Sequence, residues 1–268
     1  MRTSTLPLFC LAYALRHPSK APEAPARSQQ SASRLSSADP FITRVQPLRP
    51  RGLKVLIHLD EGDPFEVMLE ALERSRLGVG DALPANTRHH LLDADENIRV
   101  RDAALNLISY RARTREELRR RLRQKGFRPA RIDPCLDRLQ ERGFIDDEAV
   151  AAAFVRDRLL HRPRGKARLS AELREKGVTS ELAERAIQQV FDDQDVTDHK
   201  LAREVAEGWI RRQNAGTLAA LAQETHGPER DKARRRLNGY MARRGFRGEE
   251  QRHAHEVALG LARELTQS

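Results

Sequence analysis

Aromatic residues make up only 4% of this 268-residue chain. That is too few for a typical β-sandwich core and suits helices packed through Leu, Ala and Val. Cysteine is scarcer still: Cys10 and Cys135 are the only two, far apart, with no CxxC spacing and no Cys/His cluster. This excludes a disulfide framework and fits a reducing, cytoplasmic compartment. Cys135 lies on an apolar helical stripe and reads as a buried thiol. Long apolar runs are missing too. Leu6 to Leu15 spans ten residues, too short to cross a bilayer, so no membrane association is expected. Behind Arg2 that run has the form of a secretory-signal core, but the default reading is a disordered extension or a start codon placed too far upstream. The basic, cysteine-poor remainder weighs against secretion. Neither GxGxxG nor GxxxxGK[ST] stands between a strand and a helix, so no phosphate cradle is evident and no cofactor is expected.

What the chain has in excess is positive charge: 49 Lys and Arg against 39 Asp and Glu, a formal net charge of +10. Such a field favours polyanions or an acidic protein surface and says nothing about fold. Residues 1–51, rich in Pro, Ser, Ala and Arg, are expected to be disordered. Residues 52–97 read as a small α/β or β-hairpin appendage. Leu53 to Leu59 is β-prone, Asp60 to Pro64 supplies turn chemistry, and Phe65 to Leu69 pairs back, although Glu66 to Arg76 also suits a helix. Residues 85–97 read as a polar helix or linker.

The remainder is mainly α. Val100, Ala104, Leu107 and Ile108 share one helix face. Thr114 to Glu117 forms a capping box, Leu118 and Leu122 supply a buried stripe, and Lys125-Gly126-Phe127 ends the helix with a left-handed glycine. The next helix carries Ile132, Cys135, Leu136 and Leu139, starting with either Pro129 or Pro134 as its first helical residue. Asp146-Asp147-Glu148 opens the one after, at the positive end of its dipole. The punctuation then recurs as Lys176-Gly177-Val178 and Arg244-Gly245-Phe246. Leu118 and Leu122 map onto Leu169 and Leu173, then onto Leu237 and Met241. Three-helix repeats at 98–145, 146–195 and 196–268 follow. The third is divergent, with an insertion near 213–228 and a final helix, roughly 248–265, that matches the stripe poorly. Each unit is too small to bury its own stripe fully, so neighbours must stack.

No catalytic residues are assigned. His89-His90 and His253-Ala254-His255 lack partners at metal-ligand spacing and read as surface histidines, and no metal is expected. Asp146-Asp147 would suit a metal-dependent nuclease, but the helix start explains them without one. The arginines carry more. Residues 111–131 hold ten Lys or Arg and two Glu. With Leu118 and Leu122 facing inward, Arg120 lies opposite, flanked by Arg113 and Arg123. Arg111, Arg119, Lys125 and Arg128 join them. In the third copy Lys232, Arg235 and Arg243 point outward. In the second, Ala167, Ala171 and Arg174 form a small, mildly basic face that a partner can approach closely, with Arg162, Arg164, Lys166 and Arg168 crowding the turn before it. This basic groove would contact phosphates or carboxylates without base specificity. Tyr110 and Trp209 are candidate base stackers, although both lie at core spacing and burial is the expected state.

These residues resemble the RecX family of recombinase regulators. The resemblance covers roughly 52–268 and is strongest in Ser109-Tyr110-Arg111-Ala112-Arg113-Thr114-Arg115-Glu116-Glu117-Leu118, Leu122-Arg123-Gln124-Lys125-Gly126-Phe127, Gly143-Phe144-Ile145-Asp146-Asp147 and Glu172-Leu173-Arg174-Glu175-Lys176-Gly177-Val178. It implies tandem three-helix repeats in an elongated, curved monomer. It also implies a non-enzymatic protein that binds the RecA–DNA filament, lowering its ATPase, strand-exchange and coprotease activities and so regulating repair and the SOS response. Direct contact with DNA is implied for some members. The 1–50 extension and the 213–228 insertion depart from the pattern. The competing reading is a general nucleic-acid-binding or helix-turn-helix regulator, against which stands the scarcity of Asn and Gln on outward faces. Charge reversal of Arg113, Arg120 and Arg123 is expected to abolish filament inhibition and leave helix content intact.

Overall fold

The computed structural model describes residues 39–50, 52–223 and 225–267. The Leu6–Leu15 run and most of the 1–51 extension lie outside these residues. The described chain opens with a three-stranded antiparallel meander: β1 (Ile42–Pro47), β2 (Lys54–Leu59) and β3 (Phe65–Met68), with β2 central. The β2–β3 hairpin forms as the alternation predicts. β1 is a correction, because it falls inside the stretch read as disordered. Its register shifts between Ile42 and Arg44. The buried Ile42 and half-buried Val45 are therefore three residues apart, and the bulge hides the period-two signal.

Short α1 (Leu69–Ser75) follows β3 directly, so the hairpin and helical readings of 65–76 each hold for part of the segment. Then α2 runs unbroken from Ala85 to Tyr110, straight through the boundary placed at 97/98. One end belongs to each of two cores. Leu91 and Ile98 pack with Ile42, Val55, Ile57, Val67 and Leu72 of the sheet unit. Val100 and Ala104 pack with Leu118, Leu122, Ile132 and Leu136 of the first helical unit. Serving two cores on different faces, α2 has no single apolar stripe, which is why half of it reads as linker. Asp95, 5% exposed, fastens it by accepting a 2.6 Å hydrogen bond from the Met68 amide at the end of β3.

The first unit is completed by α3 (Arg115–Gln124) and α4 (Pro129–Glu141), so Pro129 is the first helical residue and Pro134 sits inside. The second comprises α5 (Asp147–His161), α6 (Lys166–Glu175) and α7 (Ser180–Asp193). The third comprises α8 (Asp198–Ile210), α9 (Ala215–Ala222), α10 (Pro228–Arg243) and α11 (Gly248–Gln267). The insertion thus contains a helix: Asn214 caps α9 through the Thr217 amide at 2.9 Å, and Leu221 is fully buried. The weak stripe of α11 also resolves. Ala254, Ala258 and Ala262 are all buried, a row of small side chains that lets the helix pack closely. The second and third units share one continuous core, whereas the first has its own.

Candidate binding surface

Two of the three Lys/Arg-Gly-apolar turns, at Gly177 and Gly245, join one unit to the next. Gly177 follows α6 with φ +82°, and a β-carbon there would lie 2.2 Å from Glu116 Cβ at the start of α3. Only glycine allows this approach. Around it Thr114 Oγ1 donates to the Lys176 carbonyl at 2.6 Å while accepting from the Glu117 amide at 3.1 Å. The other half of the expected capping box does not form. The Glu117 carboxylate instead accepts from Arg111 and from Lys176 Nζ at 3.2 and 3.1 Å. One unit along, the Gly165 amide donates to the Arg244 carbonyl at 2.8 Å, and a β-carbon on Gly245 would lie 2.6 Å from Arg168. So the C-terminal end of α10 meets the start of α6, and that of α6 meets the start of α3. The negative end of each helix dipole faces the positive end of the next. The basic helices of the three units form a head-to-tail row.

The predicted cations divide along this row. Arg164, Arg168 and Arg243 come together on a groove of about 460 Å³ between α6 and α10, whose other lining residues are Ala167, Ala171, Ala242, Gly245 and Arg247. The small face read from the second unit is thus its floor, as the spacing of Ala167 and Ala171 indicates. Arg243 and Arg247 are exposed and form no ion pair with a described residue. Arg164 and Arg168 are anchored from behind by Glu172, at 3.0 and 2.9 Å, with Arg158 as its third partner at 2.9 Å. Arg164 Nε is buried and makes no hydrogen bond. Arg247 was missed by the sequence reading, yet a signal existed: it follows Arg244-Gly245-Phe246 as Arg128 follows Lys125-Gly126-Phe127.

Several other candidates hold the fold together. Arg119 pairs with Asp133 and Glu116 at 2.8 and 2.6 Å, tying α3 to α4. Arg128 pairs with Glu96 of α2. Lys166 reaches Asp198 at 3.0 Å and covers the Phe191 ring, and Lys232 pairs with Glu229 of its own helix at 3.7 Å. Arg113 donates to the Leu107 carbonyl at 3.0 Å, satisfying the end of α2, and Arg120 donates to the Glu175 carbonyl at 2.8 Å across the joint. Reversing Arg113, Arg120 and Arg123 together would therefore break two structural hydrogen bonds, so a loss of stability is expected beside any loss of binding. Arg123, Lys125, Arg174 and Arg235 are exposed, and their side chains are unpaired among the described residues. Arg162 lines a separate notch with Arg211, Arg212, Tyr240 and Arg244.

Of the aromatic candidates, Trp209 is 6% exposed, as core spacing requires, but Tyr110 is 77% exposed. It is the last residue of α2, beyond the point where the helix has a neighbour to cover it. Cys135 is buried. Asp146 caps α5 through the Ala149 amide at 2.9 Å, and Asp147 accepts from the Arg115 amide at 2.8 Å, fastening α5 to the start of α3. Among the described residues no three His, Cys, Asp or Glu side chains are grouped to hold a metal, and no helix is long and apolar enough to cross a membrane.

Glu172 also sets a pH dependence. Burial pushes its carboxyl up, but hydrogen bonds from Arg158 and Arg168 and the nearby charge of Arg164 outweigh this and hold it below the ordinary value of 4.5. A depressed carboxyl stabilises the fold above the unfolded value and loses that contribution as pH falls through its own lower one. Glu172→Gln is expected to cost about 1–3 kcal/mol at neutral pH. Urea unfolding at a series of pH values should show the gap to the parent closing below about pH 4.5. A gap independent of pH would contradict this assignment.

The sequence matches the family models for the first RecX three-helix domain over residues 101–139 and the second over residues 146–187. Among curated relatives, the regulatory protein RecX of Halorhodospira halophila is 36% identical over 159 residues, covering 59% of this chain and 88% of the relative. That of Mycolicibacterium smegmatis is 37% identical over 149 residues, covering 55% and 72%. The fold is that of a solved crystal structure of regulatory protein RecX, with a TM-score of 0.59 and 22% identity, covering 81% of this chain and 99% of the other. Sequence likeness extending along most of a relative's own length, over the same three-helix units seen here, means that the chain belongs to the RecX family of regulatory proteins.

Proposed function

We propose that this protein is a non-enzymatic regulator that binds the RecA–DNA filament as a monomer and lowers its ATPase, strand-exchange and coprotease activities. The observation that carries the reading is the basic groove between α6 and α10, with Arg243 and Arg247 unpaired among the described residues over a floor of alanine and glycine. Small floor residues let a backbone or phosphate approach closely, and free guanidinium groups supply charge-assisted hydrogen bonds. The groove is set in a head-to-tail row of basic helices, which places the exposed Arg123, Lys125 and Arg174 further along that row. A helical polyanion repeats, so individually weak contacts along the row add through effective concentration. Contact with DNA would then be non-sequence-specific. Helix α6 carries neither Asn nor Gln, which disfavours a helix-turn-helix reader of adenine.

The test is addition of the protein to RecA filaments preformed on single-stranded DNA. ATP hydrolysis should slow at substoichiometric protein, and raising salt should relieve the effect steeply. Unchanged hydrolysis and filament length would exclude the proposal. Binding to one preferred duplex, with a base-specific footprint, would favour the helix-turn-helix reading instead.

A further inference from the structure

A cleft well apart in the chain from the α6–α10 groove carries a different kind of chemistry. It lies between α1, α2 and α4, where the sheet unit meets the first helical unit, and encloses about 220 Å³. Its lining contains four arginines from three directions, Arg74, Arg101, Arg138 and Arg142, and no carboxylate. Its floor is apolar: Ile98, Cys135 and Leu139 are each 3–4% exposed.

The four guanidinium groups are not equivalent. Arg101 makes a bidentate pair with Glu70 at 2.8 and 2.7 Å and also bonds Asp102. Arg74 bonds Glu70 at 2.6 Å. Glu70 and Asp102 lie outside the lining, so they orient two of the arginines and offset two of the four charges. Arg138 uses only its Nε, donating to the Pro134 carbonyl of its own helix at 3.0 Å. The side chains of Arg142 and Asn97 bond no described residue. The cleft thus combines two fixed cations, two cations with free donors, an amide and an apolar floor. That is a pocket with a few convergent polar groups, the general form of a small-ligand site.

We infer that this cleft binds a small phosphomonoester with an apolar body. A phosphomonoester carries close to two negative charges at neutral pH, matching the excess of two. Its terminal oxygens suit the forked donors of Arg138 and Arg142, and its organic part covers Ile98 and Leu139. A phosphodiester in a strand carries one charge and would bring two bulky substituents into a space of this size. The same chemistry has two sources, a free phosphomonoester and the 5′-phosphate at the end of a nucleic-acid strand. Because Arg74 belongs to the sheet unit and Arg138 to the helical unit, the ligand would also strengthen the seam between them.

Phenyl phosphate is the probe, titrated calorimetrically into the full chain carrying Cys10→Ser, with alkylation of Cys135 followed by mass spectrometry. Binding should slow alkylation of Cys135 and raise Tm. It should weaken by about tenfold or more in Arg138→Ala and Arg142→Ala, both exposed positions whose loss leaves the core intact. Binding by both variants as tight as by the parent, or no binding at millimolar probe, overturns the proposal. So does phenol binding as well as phenyl phosphate, which would mean an apolar cleft only, or inorganic phosphate doing so, which would mean a simple ion site. A 5′-phosphorylated oligonucleotide that displaces the probe, when its 5′-hydroxyl counterpart does not, identifies strand ends as the source. Displacement by neither assigns the site to free phosphomonoesters. Displacement by both alike overturns the monoester preference.

Discussion

Gly177→Ala is expected to lose about 3–5 kcal/mol of stability, whereas Gly126→Ala, at the equivalent place one unit earlier, loses about 1 kcal/mol. Both glycines hold left-handed backbone, at φ +82° and +89°, so both substitutions carry the same conformational cost of about 1 kcal/mol. They differ in what the new methyl group meets. Nothing lies within 4 Å of a β-carbon on Gly126, while one on Gly177 would lie 2.2 and 2.4 Å from Glu116 Cβ and Cγ. These are not the far ends of a flexible side chain. The start of α3 and the end of α6 must separate, weakening the bonds from Thr114 to the Lys176 carbonyl and from Arg120 to the Glu175 carbonyl. Overpacking of this kind costs about 1–3 kcal/mol by itself, and weakening of the two hydrogen bonds adds about 1 kcal/mol together. Urea denaturation of the two variants and the parent checks the comparison. Equal losses at both positions would mean that the turn between units bears no load and that the head-to-tail row is incidental.

The proposed filament inhibition should fall by about a hundredfold in the Arg243→Glu, Arg247→Glu double variant, with the thermal unfolding midpoint unchanged. Both side chains are exposed and unpaired among the described residues, so their reversal removes no ion pair or hydrogen bond among those residues. Each reversal replaces an attraction with a repulsion inside a groove that already concentrates the field of Arg164 and Arg168. Two lost charge-assisted contacts of about 1.5 kcal/mol each give the expected magnitude. If the contacts are to phosphates, the dependence of log affinity on log salt should also flatten by about one to two. Full inhibition by the double variant would move the interface away from this groove. Arg119→Glu and Arg128→Glu make the contrasting pair. Their partners are Asp133, Glu116 and Glu96, so the effect of reversal should appear in the stability of the first unit and only secondarily in binding.

The proposed binding surface and the joints of the fold share one set of residues. Thr114, Gly165, Gly177 and Gly245 place α3, α6 and α10 end to end, and the same turns carry the basic residues next to the groove. Spacing between the proposed contact points is therefore set by the joints. A change at a joint should alter binding through geometry, even where no contact residue is touched.

What the sequence by itself determined is what lies within a turn or two of helix. The stripe of Leu118 and Leu122, the Thr114 cap, the glycine stops and the burial of Cys135 all follow from the 3.6-residue period and from hydrogen bonds spanning three or four residues, whereas the choice of Pro129 over Pro134 as the helix start did not. The small face of α6 was legible for the same reason. Tertiary structure alone decided which cations are free. Arg119 and Arg128 look identical to Arg123 in sequence, but their carboxylates come from α4 and α2, 14 and 32 residues away. It decided that Glu117 turns to Lys176 across the joint instead of closing its own capping box. It decided that α2 is one helix shared by two cores, that a bulged strand precedes the first strand read from sequence, and that Tyr110 lies in solvent where its helix outruns its neighbours. Periodicity specifies which face of a segment is apolar. Only packing brings distant segments close enough to choose the partner for each charge.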